Sequence, residues 1–490
     1  MSTKRSFTLA LALLLVAAMP ARATSVPTLT VIDTINPGAG SSYAMDSSES
    51  AALSGYLYFA ATDGTHGQEL WRTNGTTTEL VNDIRSGADD SYPYYFTALG
   101  DYLYFQAYDG THGFELWRTD GTTTELVMDI NTNGADNSDP RYFTAFGAYL
   151  YFRATDGTHG AELWRTNGTT TELVNDINTG RSGADSSYPQ GFTAYGAYLY
   201  FTANDSTHGA ELWRTNGTTT ELVMDINTGT DSSDPDYFTT LGGYLYFQAY
   251  DGTHGWELWR TNGTTTELVM DINSGFSGSS PSNFTAFGGY LYFTATDSTH
   301  GRELWRTNGT TTELVMDINS GFSGSSPSNF TALGDFLYFR ANDGTSGYEL
   351  WRTNGTTTEM VNDIRSGADD SSPSNFTAFG GYLYFTATDD TNTGLWRTDG
   401  TTTERVPFPV AGQYINCDCY DTNIVAVGGR LYTIMYSDET GNEFAYLDEP
   451  TDVLPPTNRG GSVWTTTLVI LAGLTAAAGI GLRLRGARRA

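Results

Sequence analysis

Residues 284–321 read FTAFGGYLYFTATDSTHGRELWRTNGTTTELVMDINSG. Four runs dense in Tyr, Phe, Leu, Thr and Val, types that favour strands, alternate here with turn residues. Residues 284–287 end at Gly288-Gly289, a two-residue hairpin signal. Residues 290–296 end at a polar, Gly-containing turn, 297–301. A third run, 303–307, leads to Asn308-Gly309, the strongest short hairpin signal, because a type I′ turn needs φ > 0 at both central positions. The fourth run, 312–318, precedes a loop of Ser, Gly and Pro that leads to the next Phe. Four antiparallel strands in about 46 residues is the size of one β-propeller blade. Tyr290-Leu291-Tyr292-Phe293 is apolar at successive positions, as expected when both faces of a sheet pack against neighbours.

The same unit recurs outward in both directions. Trp71, Trp117, Trp164, Trp213, Trp259, Trp305, Trp351 and Trp396 stand in near-identical contexts, spaced 46, 47, 49, 46, 46, 46 and 45. The longer gaps come from extra loop residues after Ile130 and Ile177, and the short one from a deletion near 393–395. Strands keep their length and loops vary, as in a repeat array. Residues 29–35 (LTVIDTI) match a lone fourth strand, and 425–448 (VAVGGRLYTIMYSDETGNEFAYLD) a worn first-to-third set without Trp. Joined, they make a composite blade that closes the circle and removes two exposed edges. The expected fold is therefore an all-β propeller of eight full units plus one composite blade. Nine exceeds the usual four to eight, so an open superhelical β array is the alternative.

The two ends read as addresses. Lys4-Arg5, an apolar run at 9–18 and Ala21-Arg22-Ala23 form a secretory signal with cleavage after Ala23. Residues 463–482 are twenty residues without a charge, enough to span a bilayer core as a helix. The arginines that follow hold that end in the cytoplasm. The expected division is a signal peptide at 1–23, a propeller domain at 24–450, a Pro/Gly linker with a processing motif at 451–462, a transmembrane helix at 463–482 and a basic cytoplasmic tail at 483–490.

The formal net charge is −31, and all 56 acids lie between residues 24 and 458, with 17 arginines and no lysine. Nucleic acid, which needs clustered basic residues, is excluded as a partner. A strongly acidic surface keeps a large β protein dispersed and suits cations. Cys417 and Cys419 are the only cysteines. A C-x-C pair is too small for a disulfide framework or a structural zinc site.

Two resemblances follow from these residues. The segments Glu69-Leu70-Trp71-Arg72-Thr73-Asn74-Gly75-Thr76 and Glu115-Leu116-Trp117-Arg118-Thr119-Asp120-Gly121-Thr122 resemble the ELWxxDGT repeat family of exported bacterial proteins, over residues 46 to about 405. Most copies carry Asn for the Asp of DGT, whereas Asp120 and Asp399 keep it. The family implies a secreted or surface repeat protein and brings no established reaction. Gly460-Gly461-Ser462, the apolar run and the Arg cluster resemble Gly-Gly type sorting signals of Gram-negative bacteria. That likeness implies removal of the tail near Gly460 and Gly461 by a rhomboid-like intramembrane protease; a permanent single-span anchor is the alternative.

Candidate chemistry is sparse. His66, His112, His159, His208, His254 and His300 share one turn position, which Ser346 and Asn392 take in the last two units. Such turns are spread round a ring, one per blade, whereas a ligand or catalytic His needs convergent partners. Arg72 is read as an ion pair with Glu79, placed diagonally across the hairpin, and each Trp as blade packing. The Asp-rich loops are the better candidates for a cation: Asp63, Asp89, Asp90, Asp109, Asp156, Asp251 and Asp343, with backbone carbonyls of Gly-rich turns, are the residue types that hold calcium. They do not match a spaced calcium-loop pattern, and Asx-turn capping explains a lone Asp as well. No other cofactor is expected.

Near-identical units offer many equal weak sites, and avidity raises overall binding without new contacts. An enzyme needs one asymmetric constellation, which no full unit supplies. The expected function is non-catalytic adhesion or multivalent binding of a polymeric ligand, such as a glycan, at the cell envelope or surface. The alternative is a hydrolase or lyase with its site over the central channel, near Cys417, Asp418, Cys419 and Asp421.

Overall fold

A computed structural model describes residues 26–32, 35–36, 50–180, 185–409, 415, 424–437 and 441–449. The strands form nine four-stranded antiparallel sheets, the blades of a nine-bladed β-propeller. Blades 1 to 8 each hold four consecutive strands; blade 6, for example, is Ser282–Phe287, Tyr290–Asp297, Gly301–Thr307 and Thr312–Met316. The ninth is composite: Val425–Val427, Arg430–Ser437 and Gly441–Asp448 are completed by Thr30–Val31 from the other end of the chain. Thr30 pairs with Tyr446 and Val31 with Ala445. The ring is closed, as the sequence predicts, and the open superhelix is not formed.

Both faces of each sheet are buried because side chains alternate along the central strands. Leu291, Phe293, Ala295 and Trp305 of blade 6 pack against Tyr246, Leu258 and Ile272 of blade 5. Tyr292, Leu304 and Ile318 face the other way, onto Leu337, Phe339 and Trp351 of blade 7. Each such side chain contributes about 1.5–3 kcal/mol relative to exposure. The same set recurs between the other blades and across the seam, where Phe59 stacks near Phe444 at 4.5 Å.

The two hairpins of a blade use different turns. Phe287 pairs with Tyr290 across Gly288-Gly289, whose φ values of +58° and +82° make a type I′ turn. The Asn-Gly hairpin departs from the expected type I′. Thr73 pairs with Thr78, so the loop holds four residues, Asn74 to Thr77, and only Gly75 has positive φ. Asn74 caps it instead, its Oδ1 accepting the Thr76 and Thr77 N–H groups at 2.9 and 2.8 Å. Asp120 does the same at 2.7 Å to each, which is why Asn and Asp interchange here.

Arg72 lies directly opposite Glu79, not diagonally, and donates Nε and Nη2 to it at 2.8 and 2.6 Å. Its Nη1 donates to the Gly121 carbonyl of the next blade at 2.8 Å, and the guanidinium lies 4.4 Å over the Tyr56 ring. This latch repeats between later blades. Arg430 carries it across the seam, donating to the Asn74 carbonyl and pairing with Asp448.

Among the described residues no helix is long and apolar enough to cross a membrane. Ala23, Cys417, Asp418, Cys419, Asp421, Gly460, Gly461 and the apolar run at 463–482 lie outside them.

Candidate binding face

The turn between second and third strands and the loop to the next blade emerge on one face and bind each other. Gly67 N–H donates to the Gly87 carbonyl at 3.1 Å, and Ser91 N–H to the Gln68 carbonyl at 3.0 Å. A Cβ on Gly67 would stand 2.3 Å from the Asp89 carbonyl oxygen, so only glycine allows this approach.

A buried carboxylate fastens the loop. Glu115, the first residue of the ELW motif in blade 2, is fully buried. It accepts the Ile130 and Ser138 N–H groups at 2.9 Å each and the Ser138 hydroxyl at 2.5 Å. Burial pushes its carboxyl up to about 7, against the pull of these hydrogen bonds. Glu69, Glu162, Glu257 and Glu349 are likewise raised to about 7, and Glu211 and Glu303 are raised in the same way. The sequence reading assigned this Glu no role. Its recurrence before an apolar Leu-Trp pair in seven units was the available signal.

The calcium candidates are occupied by their own chain. Asp63 Oδ1 accepts the N–H groups of Thr65 and His66 at 2.8 Å each and the Thr65 hydroxyl at 2.7 Å, and Oδ2 meets His66 Nδ1 at 2.8 Å. Burial pushes this carboxyl up, but the hydrogen bonds from His66 and Thr65 outweigh it and hold Asp63 below the usual range. Hydrogen bonding to Asp63 raises His66. Asp109, Asp156, Asp251 and Asp343 cap their turns in the same way, as do Asp205 and Asp297. Asp89 pairs with Arg85 at 3.1 Å, and Asp90 Oδ1 accepts the Gln68 N–H at 2.6 Å. Among the described residues no three His, Cys, Asp or Glu converge as a metal site would require.

Recesses open between turns and loops. In blade 1 a hollow of about 420 Å³ is lined by Thr62, His66, Gln68, Asp90 and Tyr92. In blade 4 one of about 490 Å³ is lined by Asn178, Asp185, Tyr188, Asn204 and Ser206, with Tyr188 60% exposed.

The centre of this face is the channel mouth, rimmed by the innermost strands. Each of these strands in blades 2 to 8 begins with a bulge. In blade 6 Ser282 pairs with Thr294 and Thr285 with Tyr292, so Asn283 and Phe284 together oppose Phe293. The bulge residue is left-handed in every case: Tyr95, Tyr142, Tyr237, Asn283, Asn329 and Asn375 have φ between +57° and +62°, and Gly191 +69°. A tyrosine there costs about 1–2 kcal/mol. The residues before the loop prolines, such as Tyr92, Asp139 and Tyr188, are also left-handed, with φ of +46° to +48°. A cavity of about 530 Å³ at the mouth is lined across five blades, by Tyr142, Gly191, Asp236, Tyr237, Asn283 and Asn329 among others. Sequence reasoning missed this rim, because Tyr, Gly and Asn exchanging at one position look like ordinary loop variation.

No family model matches the chain, and no curated protein matches it. Among solved structures, the computationally designed protein Ika8 is similar at a TM-score of 0.41 and 13% identity, over 73% of this chain and 98% of its own. A prolyl endopeptidase gives 0.41 and 11%, over 81% of this chain and 55% of its own. A puromycin-hydrolyzing peptidase of Mycobacterium tuberculosis gives 0.37 and 11%, over 71% and 58%. The chain thus spans little more than half the length of either peptidase.

Proposed function

We propose that the protein is an exported, non-catalytic bacterial propeller that binds a polymeric ligand, such as a glycan, multivalently through its loop face. The observation that carries this reading is the repetition of one turn-and-loop unit round the ring. Capping Asp, buried Glu and fastened loop recur in successive blades, and recesses with an exposed edge open beside the turns of blades 1 and 4. Repeated weak sites on a rigid ring suit a repeating polymer, because each further contact is made at high effective concentration.

The signal at 1–23 and the resemblance to ELWxxDGT repeat proteins support export. The tail at 451–490 supports passage through, or retention in, the envelope of a Gram-negative cell. Intact-mass measurement on envelope-derived protein is expected to show a chain ending near Gly461; a retained Arg tail leaves a plain anchor.

The test is binding of the purified protein to a glycan array, with and without calcium, run beside a hydrolase screen. Saturable binding at several sites per ring, without turnover, is expected. Turnover abolished by one substitution would overturn it in favour of an enzyme.

A further inference from the structure

We propose that the channel mouth is a single axial binding site for a neutral saccharide, separate from the repeated loop sites. The repeats are near-identical, yet the rim position differs from blade to blade. Tyrosines stand in blades 2, 3 and 5, a glycine in blade 4 and asparagines in blades 6 to 8. The rim therefore has an aromatic arc and an amide arc, and Tyr142 and Tyr237 of the first and Asn283 and Asn329 of the second face a common cavity of about 530 Å³.

Tyr142 and Tyr237 are 44% and 47% exposed. Both are fixed in place: the Arg153 guanidinium lies 4.7 Å from the Tyr142 ring, and Phe284 meets Tyr237 edge-on at 6.2 Å. Rigid, exposed phenol rings offer apolar faces with a polar tip, which matches the C–H face of a pyranose. Asn283 and Asn329 carry both a donor and an acceptor; Asn329 Nδ2 donates to the Pro373 carbonyl at 3.4 Å and Asn283 Nδ2 to Ser282 Oγ at 3.3 Å, which orients each amide for vicinal hydroxyls. Gly191, in blade 4, interrupts the aromatic arc between Tyr142 and Tyr237. Among the described residues that line the cavity, Asp236 is the charged one. Arg153 and Arg302 stand behind the rim, the first against the Tyr142 ring and the second donating to Ser282 Oγ at 2.6 Å, so the lining itself favours neutral sugars over phosphate, sulfate and uronate groups.

Glycine substitution tests this without threatening the fold, because Gly191 already occupies the same left-handed position. The probes are chitohexaose, cellohexaose, maltohexaose and, as an anionic control, hexagalacturonate, titrated by calorimetry into the full protein. At least one neutral hexasaccharide is expected to bind at one site per chain. Tyr237→Gly and Asn329→Gly are each expected to weaken it about tenfold, and Thr122→Ala on the opposite face to leave it unchanged. The proposal is overturned if no neutral hexasaccharide binds, if hexagalacturonate binds more tightly, or if both glycine variants bind as the parent does. Several sites per ring, indifferent to the glycine variants, would overturn this site and leave the loop-face reading standing. One site lost with the glycine variants would establish the axial site whatever the array shows.

Discussion

Replacing Glu115 by Gln should remove a pH dependence that the buried carboxyl builds into stability. Glu115 is fully buried, and burial raises its carboxyl from the usual 4.5 to about 7 despite three donors. In the unfolded chain the proton leaves near 4.5. Between these values the folded ring binds more protons than the unfolded chain. The stabilisation is therefore full below about pH 4.5 and is lost as pH rises through 7. The interval corresponds to about 3 kcal/mol for one glutamate. Gln carries no titrating proton, so Glu115→Gln should shrink the difference in unfolding free energy between pH 5 and pH 8 by about 2.5 kcal/mol, the part of that interval lying above pH 5. Urea unfolding at both pH values, on parent and variant, measures it. The histidines, raised by their Asp partners, shift stability in the same direction, but they are present in both proteins and cancel. A variant with the parent's full pH 5–8 difference would refute the reasoning and mean that the three donors keep Glu115 ionised throughout.

Arg430→Ala should remove the seam latch to Asn74, the ion pair with Asp448 at 2.9 Å and the stack 4.4 Å over Tyr446, costing about 2 kcal/mol. Hydrogen exchange at Thr30 and Val31 should speed up, whereas Arg214→Ala, the same latch inside the array, should leave those amides as slow as before. Gly67→Ala should cost about 2 kcal/mol or more in a thermal melt, because its Cβ would meet the Asp89 backbone at 2.3 Å. Gly147→Ala, with open space around it, should cost only the strain of its positive φ, about 1 kcal/mol.

The blade count and the composite ninth blade were legible because both rest on repetition. Eight Trp contexts mark the full units, and departures at each end of the array mark the joint. The buried-on-both-faces reading of Tyr290-Leu291-Tyr292-Phe293 held for the same reason, since alternation along a strand is local. What was not legible depends on how strands meet. The Arg72–Glu79 register shifted by the two residues that Thr76 and Thr77 add to the hairpin. For Asp63 the sequence offers both a cation ligand and an Asx-turn cap, and only the folded turn shows the Thr65 and His66 donors on its carboxylate. The bulge that turns Tyr142 and Asn329 toward the channel exists only in the pairing of two strands.

The composite blade also fixes an order of assembly. Thr30 is made first and its partner Tyr446 nearly last, so the seam forms only after eight blades exist. Closing so long a loop costs little more than closing a short one, so the delay is kinetic rather than thermodynamic. Until then the chain is an arc with two raw ends: Leu57, Phe59 and Trp71 of blade 1 wait for Tyr432 and Phe444, and Tyr384 and Leu395 of blade 8 wait for Leu431 and Leu447. Those two ends fit between chains as well as within one, so dilution during refolding decides whether the product is closed monomeric rings or arcs joined end to end.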